Sequence, residues 1–254
     1  MPTTQPKKKS AKKIFVGNWK MNAFPVNDVI KRITAIGKAA SPKAEIIICP
    51  PHVYLGVLLK KPKGVSIGAQ DVFHEEKGSF TSQISADILK TAGVTHVIIG
   101  HSERRQQGET DDMVNKKVLI ALKNNITPII CIGETVRDEE GNYLAFLKTQ
   151  LEKALTGVAK NQLDTMVIAY EPVWAIGATQ AMSAHDVHQM TLYIKKALME
   201  MYKLKTIAST PILYGGSVDP TNANGIMTEG QADGLLVGRQ SLEAISFTEI
   251  VRST

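Results

Sequence analysis

Cysteine is scarce in this chain: two of 254 residues, Cys49 and Cys131. They lie far apart, each at the end of an apolar run, which excludes a disulfide framework and suits buried free thiols in a reducing compartment. No run of about 18 apolar residues occurs, so no membrane span is expected. No apolar segment of adequate length follows the N-terminal lysines, which argues against a secretory signal. The absence of arginine and of an apolar stripe there argues against a transit peptide. The Asn125-Ile126-Thr127 acceptor pattern therefore carries no weight. Zinc-type HExxH and CxxC spacings are missing and the six histidines are scattered, so no metal site is expected. The glycine-lysine phosphate loop and the GxGxxG dinucleotide fingerprint are missing too.

What is present is ordinary globular material, 43% hydrophobic and 21% charged, enough for one large domain or two small ones. The formal charge of +6 is unevenly placed. Lys7, Lys8, Lys9, Lys12 and Lys13 fall in the first thirteen residues with no acid, and the remainder is nearly neutral. Residues 1–13 are therefore expected to be a basic, disordered tail, and 14–254 one domain. The tail has no interleaved aromatics. A solvated extension is favoured over a nucleic-acid partner, and no membrane partner is expected.

Short β-rich runs recur along the domain: Ile14–Gly17, Glu45–Cys49, Val65–Ala69, His96–Ile99, Pro128–Ile132, Met166–Tyr170, Pro211–Tyr214 and Gly234–Val237. Most are apolar throughout, as in parallel strands buried on both faces. Helical patterns lie between them. Ile84, Ile88, Leu89 and Ala92 form one stripe that stops at Gly93, and Leu144, Leu147, Leu151 and Leu155 form another. Ser183 with Asp186 resembles a capping box opening a helix through Met190, Ile194, Leu198 and Met201. Eight alternations indicate an α/β fold of the (β/α)8 barrel type, with an open doubly wound sheet as the rival.

A parallel barrel carries its chemistry at the C-terminal strand ends. There stand Asn18-Trp19-Lys20, Gln70-Asp71, His101-Ser102-Glu103, Glu134, Glu171, Gly215-Gly216-Ser217 and Gly238-Arg239. The last two glycine sets are either tight turns or a phosphate cradle of backbone N–H groups, and their joint position favours the cradle. His101 and Glu171, each alone, read as structural residues; together at strand ends they suit proton abstraction beside a carbonyl. Ser102-Glu103-Arg104 suits a short helix whose N-terminus would keep the His101 ring neutral. Lys20 is either solvated or held inward by Trp19 to offset phosphate and enediolate charge, with Glu103 as its ion-pair partner. Pro172-Val173-Trp174-Ala175-Ile176-Gly177-Ala178 is too apolar to lie in water and reads as packed core or as a closing lid.

Six long motifs then resemble the triosephosphate isomerase family across residues 14–252. They are Gly17-Asn18-Trp19-Lys20-Met21-Asn22, Gly68-Ala69-Gln70, Gly100-His101-Ser102-Glu103-Arg104-Arg105, Cys131-Ile132-Gly133-Glu134-Thr135, Ala169 to Gly177, and Tyr214-Gly215-Gly216-Ser217-Val218. The resemblance implies a TIM barrel, cytoplasmic location, a homodimer, and interconversion of dihydroxyacetone phosphate and D-glyceraldehyde 3-phosphate in glycolysis and gluconeogenesis. It implies Glu171 as base, His101 as neutral electrophile, Asn18 and Lys20 as substrate contacts and Glu103 as supporting carboxylate. Backbone N–H groups of Gly177, Ser217, Gly238 and Arg239 would hold the phosphate. Pro172 to Gly177 would form the lid, and Ile176 with Leu236 would enclose the base. No cofactor is implied, because the proton stays within substrate and enzyme.

Three departures from the family pattern stand out. The lid continues Gly177-Ala178-Thr179-Gln180 instead of Gly-Thr-Gly-Lys, which changes its C-terminal hinge. The last phosphate loop reads Gly238-Arg239-Gln240-Ser241 instead of Gly-Gly-Ala-Ser; the Arg239 guanidinium is expected to point outward. In the loop spanning Asp71–Ser85, which resembles the family's dimer contact through Phe80-Thr81-Ser82, Gln83 stands where a glutamate usually pairs with the neighbouring subunit's arginine. That predicts a more easily dissociated dimer in which Gln83 still hydrogen-bonds Arg104.

Overall fold

The computed structural model describes residues 12–58, 62–177, 181–206 and 209–253. Residues 1–11 of the expected tail and the Ala178-Thr179-Gln180 hinge lie outside the described residues. Eight parallel strands close on themselves: β1 (Lys13–Asn18), β2 (Ala44–Cys49), β3 (Ser66–Ala69), β4 (His96–Ile99), β5 (Thr127–Ile132), β6 (Val167–Tyr170), β7 (Ile212–Tyr214) and β8 (Gly234–Val237). Strand β8 returns to β1 with Val16 opposite Leu236, which rules out the open sheet. The helices around the barrel are α1 (Val26–Gly37), α2 (Ala86–Thr91), α3 (Ser102–Gln106), α4 (Asp111–Lys123), α5 (Asn142–Ala154), α6 (Ala184–Tyr202), α7 (Ala223–Thr228) and α8 (Ala244–Arg252). Among the described residues, no helix is long and apolar enough to cross a membrane.

The uniformly apolar strands are explained by two separate cores. Ile14, Val16, Ile47, Cys49, Ile98, Ile129, Cys131, Val167, Ala169, Leu213 and Leu236 pack together inside the barrel. Their strand neighbours, among them Phe15, Ile48, Ile99, Ile130, Ile168 and Leu235, face the helices. Both faces of each strand are therefore dry, and alternation survives only as inward against outward.

That parity decides what reaches the top of the barrel. Continuing the inward series two residues at a time brings up Asn18 on β1, Gly133 on β5, Glu171 on β6, Gly215 on β7 and Gly238 on β8. Strand β4 is the exception. Inward Ile98 would make Gly100 inward and His101 outward, but Gly100 adopts φ +74°, a left-handed conformation that turns the chain and resets the alternation.

Two local expectations need correction and two hold. Lys13 belongs to β1, not to the tail: it pairs with Ala44, and its Nζ donates to the Ala232 carbonyl at 2.8 Å. Helix α2 starts after Ile84, at an N-cap on Ser85, so the stripe is shorter than its spacing suggests; Leu89 is buried but Ile88 is 57% exposed. Ser183 does cap α6, its hydroxyl accepting from the Asp186 amide at 3.1 Å while donating to the Asp186 carboxylate at 2.7 Å. Gly93 follows α2 at φ +73°, as a C-terminal stop requires.

Candidate active site

The strand ends surround a cleft of about 530 Å³. Asn18, Lys20, His101, Glu171, Ile176, Gly177, Ser217, Leu236, Gly238 and Arg239 all line it, so the expected site residues from β1, β4, β6, β7 and β8 converge. Glu103 joins through Lys20, whose Nζ lies 2.6 Å from Glu103 Oε1.

Lys20 is held, not solvated. Its backbone takes φ +50°, unusual for a residue with a side chain and costing about 1 kcal/mol or more. Three bonds impose that shape: the Lys20 amide donates to Asn18 Oδ1 at 3.0 Å, Gln70 Nε2 donates to the Lys20 carbonyl at 2.9 Å, and Glu103 takes the ammonium. Beneath it Trp19 is fully buried, its Nε1 donating to the Ser241 carbonyl at 3.0 Å. That bond ties the β1 loop to the β8 loop.

His101 caps α3. Its Nδ1 accepts from the Glu103 amide at 3.2 Å, so the hydrogen of a neutral ring sits on Nε2. Nε2 faces Glu171 Oε1 at 3.2 Å. Burial disfavours charge on the ring, but the Glu171 carboxylate outweighs it and His101 is raised above its ordinary value. The cap opposes that pull. A proton on Nδ1 would set donor against donor at the Glu103 amide, which favours a neutral ring with its hydrogen on Nε2.

Glu171 is buried at 4% exposure. Burial raises its pKa, while His101, the Cys131 thiol and the Ser102 amide lower it further than burial raises it, so the carboxyl is ionised. Its Oε2 is buried with no hydrogen-bond partner among the described residues. A buried acceptor left open is costly, and here it leaves a lone pair for a proton.

Two glycines make room for Glu171, and a third for its neighbour Tyr214. A Cβ at Gly133 would lie 1.8 Å from the Glu171 carbonyl oxygen, and one at Gly215 would lie 2.8 Å from Glu171 Cγ. A Cβ at Gly216 would strike the Tyr214 hydroxyl at 2.3 Å. Gly238 is different: its added Cβ would meet Lys20 Cε at an ordinary 3.5 Å. Arg239 follows it at the start of a 3-10 turn and is exposed at the cleft edge.

The segment after Glu171 makes a 3-10 turn over Val173–Ala175. Ala175 is fully buried, whereas Trp174 is 42% exposed. Two tethers hold the turn: Trp174 Nε1 donates to Glu134 Oε1 at 2.9 Å, and the Ser217 hydroxyl donates to the Ala175 carbonyl at 3.3 Å. The Tyr170 hydroxyl shares the same Glu134 oxygen at 2.9 Å. Glu134 was legible as a strand-end residue, but its task as anchor was not. Cys131 was read only as a buried thiol, yet it lies against Glu171; its place at the inward end of β5 was the available signal.

The sequence profile of the triosephosphate isomerase family matches residues 13–254. The triosephosphate isomerase of Caldanaerobacter subterraneus subsp. tengcongensis is 44% identical over 94% of this chain and 98% of its own. That of Moorella thermoacetica is 42% identical over 94% and 97%. A crystal structure of triosephosphate isomerase from Bartonella henselae superposes with a TM-score of 0.85 at 34% identity, covering 95% of this chain and 98% of that one.

Proposed function

The chain belongs to the triosephosphate isomerase family, and on that footing we propose how its own residues interconvert dihydroxyacetone phosphate and D-glyceraldehyde 3-phosphate in glycolysis and gluconeogenesis. The observation that carries the proposal is the facing pair: His101 Nε2 at 3.2 Å from a buried Glu171 carboxylate with one unpartnered oxygen. Substrate entering between them takes the Nε2 hydrogen on its carbonyl oxygen and presents a carbon-bound proton to Glu171. Glu171 removes that proton and returns it to the adjacent carbon, while His101 stabilises the oxygen that gains charge. The Lys20 ammonium, paired with Glu103 on a backbone that Asn18 fixes, offsets the charge of the enediolate and phosphate.

The phosphate is held by the amides of Gly177, Ser217, Gly238 and Arg239, with Asn18 completing the substrate contacts. Neutral N–H groups suit this task because they add no side chain to a crowded rim. Pro172 to Gly177 closes as a lid, of which this family is the standard illustration. Ile176 and Leu236 then shield the base. Excluding water matters because an enediolate phosphate left wet eliminates its phosphate.

The protein works as a homodimer in this reading. Met21, 97% exposed, lines a second cleft of about 450 Å³ together with Ser82, Gln83 and Arg104, beside Asn18, Lys20 and His101. Covering it with a second copy would bury Met21. Arg104 meets Asp71 Oδ2 of its own chain at 3.0 Å. Its charge thus has a carboxylate partner in its own chain without a glutamate at position 83, and Gln83 has only a neutral contact to make. Sedimentation at micromolar concentration is expected to give twice the chain mass; monomer alone would refute the dimer. The two buried thiols suit a cytoplasmic setting. A coupled assay with glyceraldehyde 3-phosphate tests the whole reading. The parent protein is expected to be active and Glu171→Gln about 10²- to 10⁴-fold slower in kcat. An inactive parent would overturn the assignment.

A further inference from the structure

The resetting turn at Gly100 leaves a gap in the sheet, and one side chain fills it. The β4–β5 ladder runs in register from His96 opposite Thr127 to Ile99 opposite Ile130. The next pair would be Gly100 and Cys131, but Gly100 at φ +74° has left the ladder. Their carbonyls are instead joined by Arg105. Its Nε donates to the Gly100 carbonyl at 2.8 Å, and Nη2 reaches the Cys131 carbonyl at 3.4 Å. Its third donor, Nη1, is held by Asp111 Oδ1 at 2.7 Å, and Asp111 Oδ2 in turn lies 3.5 Å from Lys153. The bridge requires glycine at position 100. A Cβ there would lie 3.1 Å from Arg105 Nη2, 3.2 Å from the Cys131 carbonyl and 3.0 Å from Val114 Cγ2.

The two carbonyls belong to the supports of the two reacting side chains. Gly100 precedes His101, and the Arg105 amide also donates to the His101 carbonyl at 3.0 Å, so Arg105 grips His101 from both sides. Cys131 lies beneath the Glu171 carboxylate. We propose that Arg105, clamped by Asp111, is a positioning residue that fixes the separation of His101 and Glu171 by bridging the carbonyls of Gly100 and Cys131 where the sheet itself does not. This rests on His101 and Glu171 being the reacting pair. A guanidinium suits the task because its Nε and Nη2 hydrogens leave one edge in parallel; an ammonium has no such fork. Misplacing a reacting group by about 1 Å is enough to cost about 10²-fold in rate.

Arg105 also lines an outer cleft of about 560 Å³, together with Asp111, Gln150, Lys153 and Phe146. Truncating it therefore leaves a guanidinium-shaped hole that solvent can reach. Arg105→Lys keeps the charge beside Asp111 but not the fork. It is expected to lower kcat per folded molecule about ten- to hundredfold, with KM changed less than about threefold. Arg105→Ala is expected to lose more and to recover about tenfold with millimolar guanidinium, but not with equal ammonium or potassium chloride. Circular dichroism and active-site titration give the folded fraction. The proposal is overturned if Arg105→Lys keeps full kcat, if its loss merely tracks unfolded protein, or if ammonium rescues Arg105→Ala as well as guanidinium does. Should Arg105→Ala not fold, the Lys variant decides alone. Glu171→Gln assayed alongside separates the two ideas: full activity there would refute the reacting pair itself, whatever Arg105 does.

Discussion

Two histidines stand at opposite ends of β4, His96 as its first residue and His101 two residues past its last, and their pKa values move in opposite directions. His96 opens the strand at the bottom of the barrel. Burial pushes it down to about 4, and its Nδ1 is 2.8 Å from the Thr95 hydroxyl. His101 follows the strand at the top and is raised by Glu171 against the effect of burial. The neighbours behave likewise. At the bottom, Asp233 accepts from the Ile212 amide at 3.0 Å and pairs with Lys195 at 2.9 Å, and Lys13 closes on Ala232. At the top, Glu171 and Glu134 each keep one buried oxygen without a partner among the described residues. Bottom polar groups are saturated and join elements; top ones are fixed on one side and open on the other. Stability and reactivity are thereby separated along the strand axis.

The largest effect expected is at the top. Glu171→Gln should lose about 10²- to 10⁴-fold in kcat while its thermal unfolding midpoint is kept or raised, since a buried open acceptor loses its charge. A large fall in midpoint would erase the contrast between the two ends.

The next tests the bottom through pH. An unfolded histidine titrates near 6.5 and native His96 near 4. Between those values the unfolded chain binds the extra proton, so stability falls as pH drops through that window. The full difference is up to about 3 kcal/mol, reduced by Glu45 Oε1 at 3.7 Å from Nε2. Urea titrations from pH 7 to 4 should show this slope, and His96→Asn should flatten it while leaving kcat alone. An unchanged slope in that variant would assign the acid sensitivity elsewhere.

Smaller effects sharpen the top. Trp174→Phe removes the Nε1 bond to Glu134 from a half-exposed side chain. It should change kcat and KM together by up to about tenfold, the value of one hydrogen bond to a charged acceptor, with no measurable loss of folding stability. Steady-state kinetics with denaturant melts reads both. The least effect belongs to Arg239→Gly, where the guanidinium is exposed and only the backbone N–H serves. Its KM should move less than about threefold, and a large change would mean that the side chain itself binds phosphate.

The strands were legible in the sequence almost to the residue because a strand dry on both faces is an uninterrupted apolar run bounded by polar rims. The site was legible for the same reason: Asn18, Glu171 and the glycines of β7 and β8 are simply the first residues past those runs. What escaped depends on contact rather than on pattern. Nothing local to Arg105 tells that its fork reaches a carbonyl on β5, 26 residues away. Ile88 keeps helical spacing with Ile84 yet is exposed, and the Ser85 cap starts the helix at Ala86, two residues later than the stripe implies. Cys131 looked like any inert core thiol until β6 brought Glu171 over it.

The glycine rim also sets which positions around the cleft are free to vary. Gly133 and Gly215 are locked to the backbone and side chain of Glu171, so any new side chain there forces a matching change on β6. Gly238 alone among them has space beside it, bordered only by the flexible end of Lys20. A lineage or a designer seeking a different substrate from this scaffold has its open door at β8, where Arg239 already departs from the family pattern and the proton-moving machinery need not be touched.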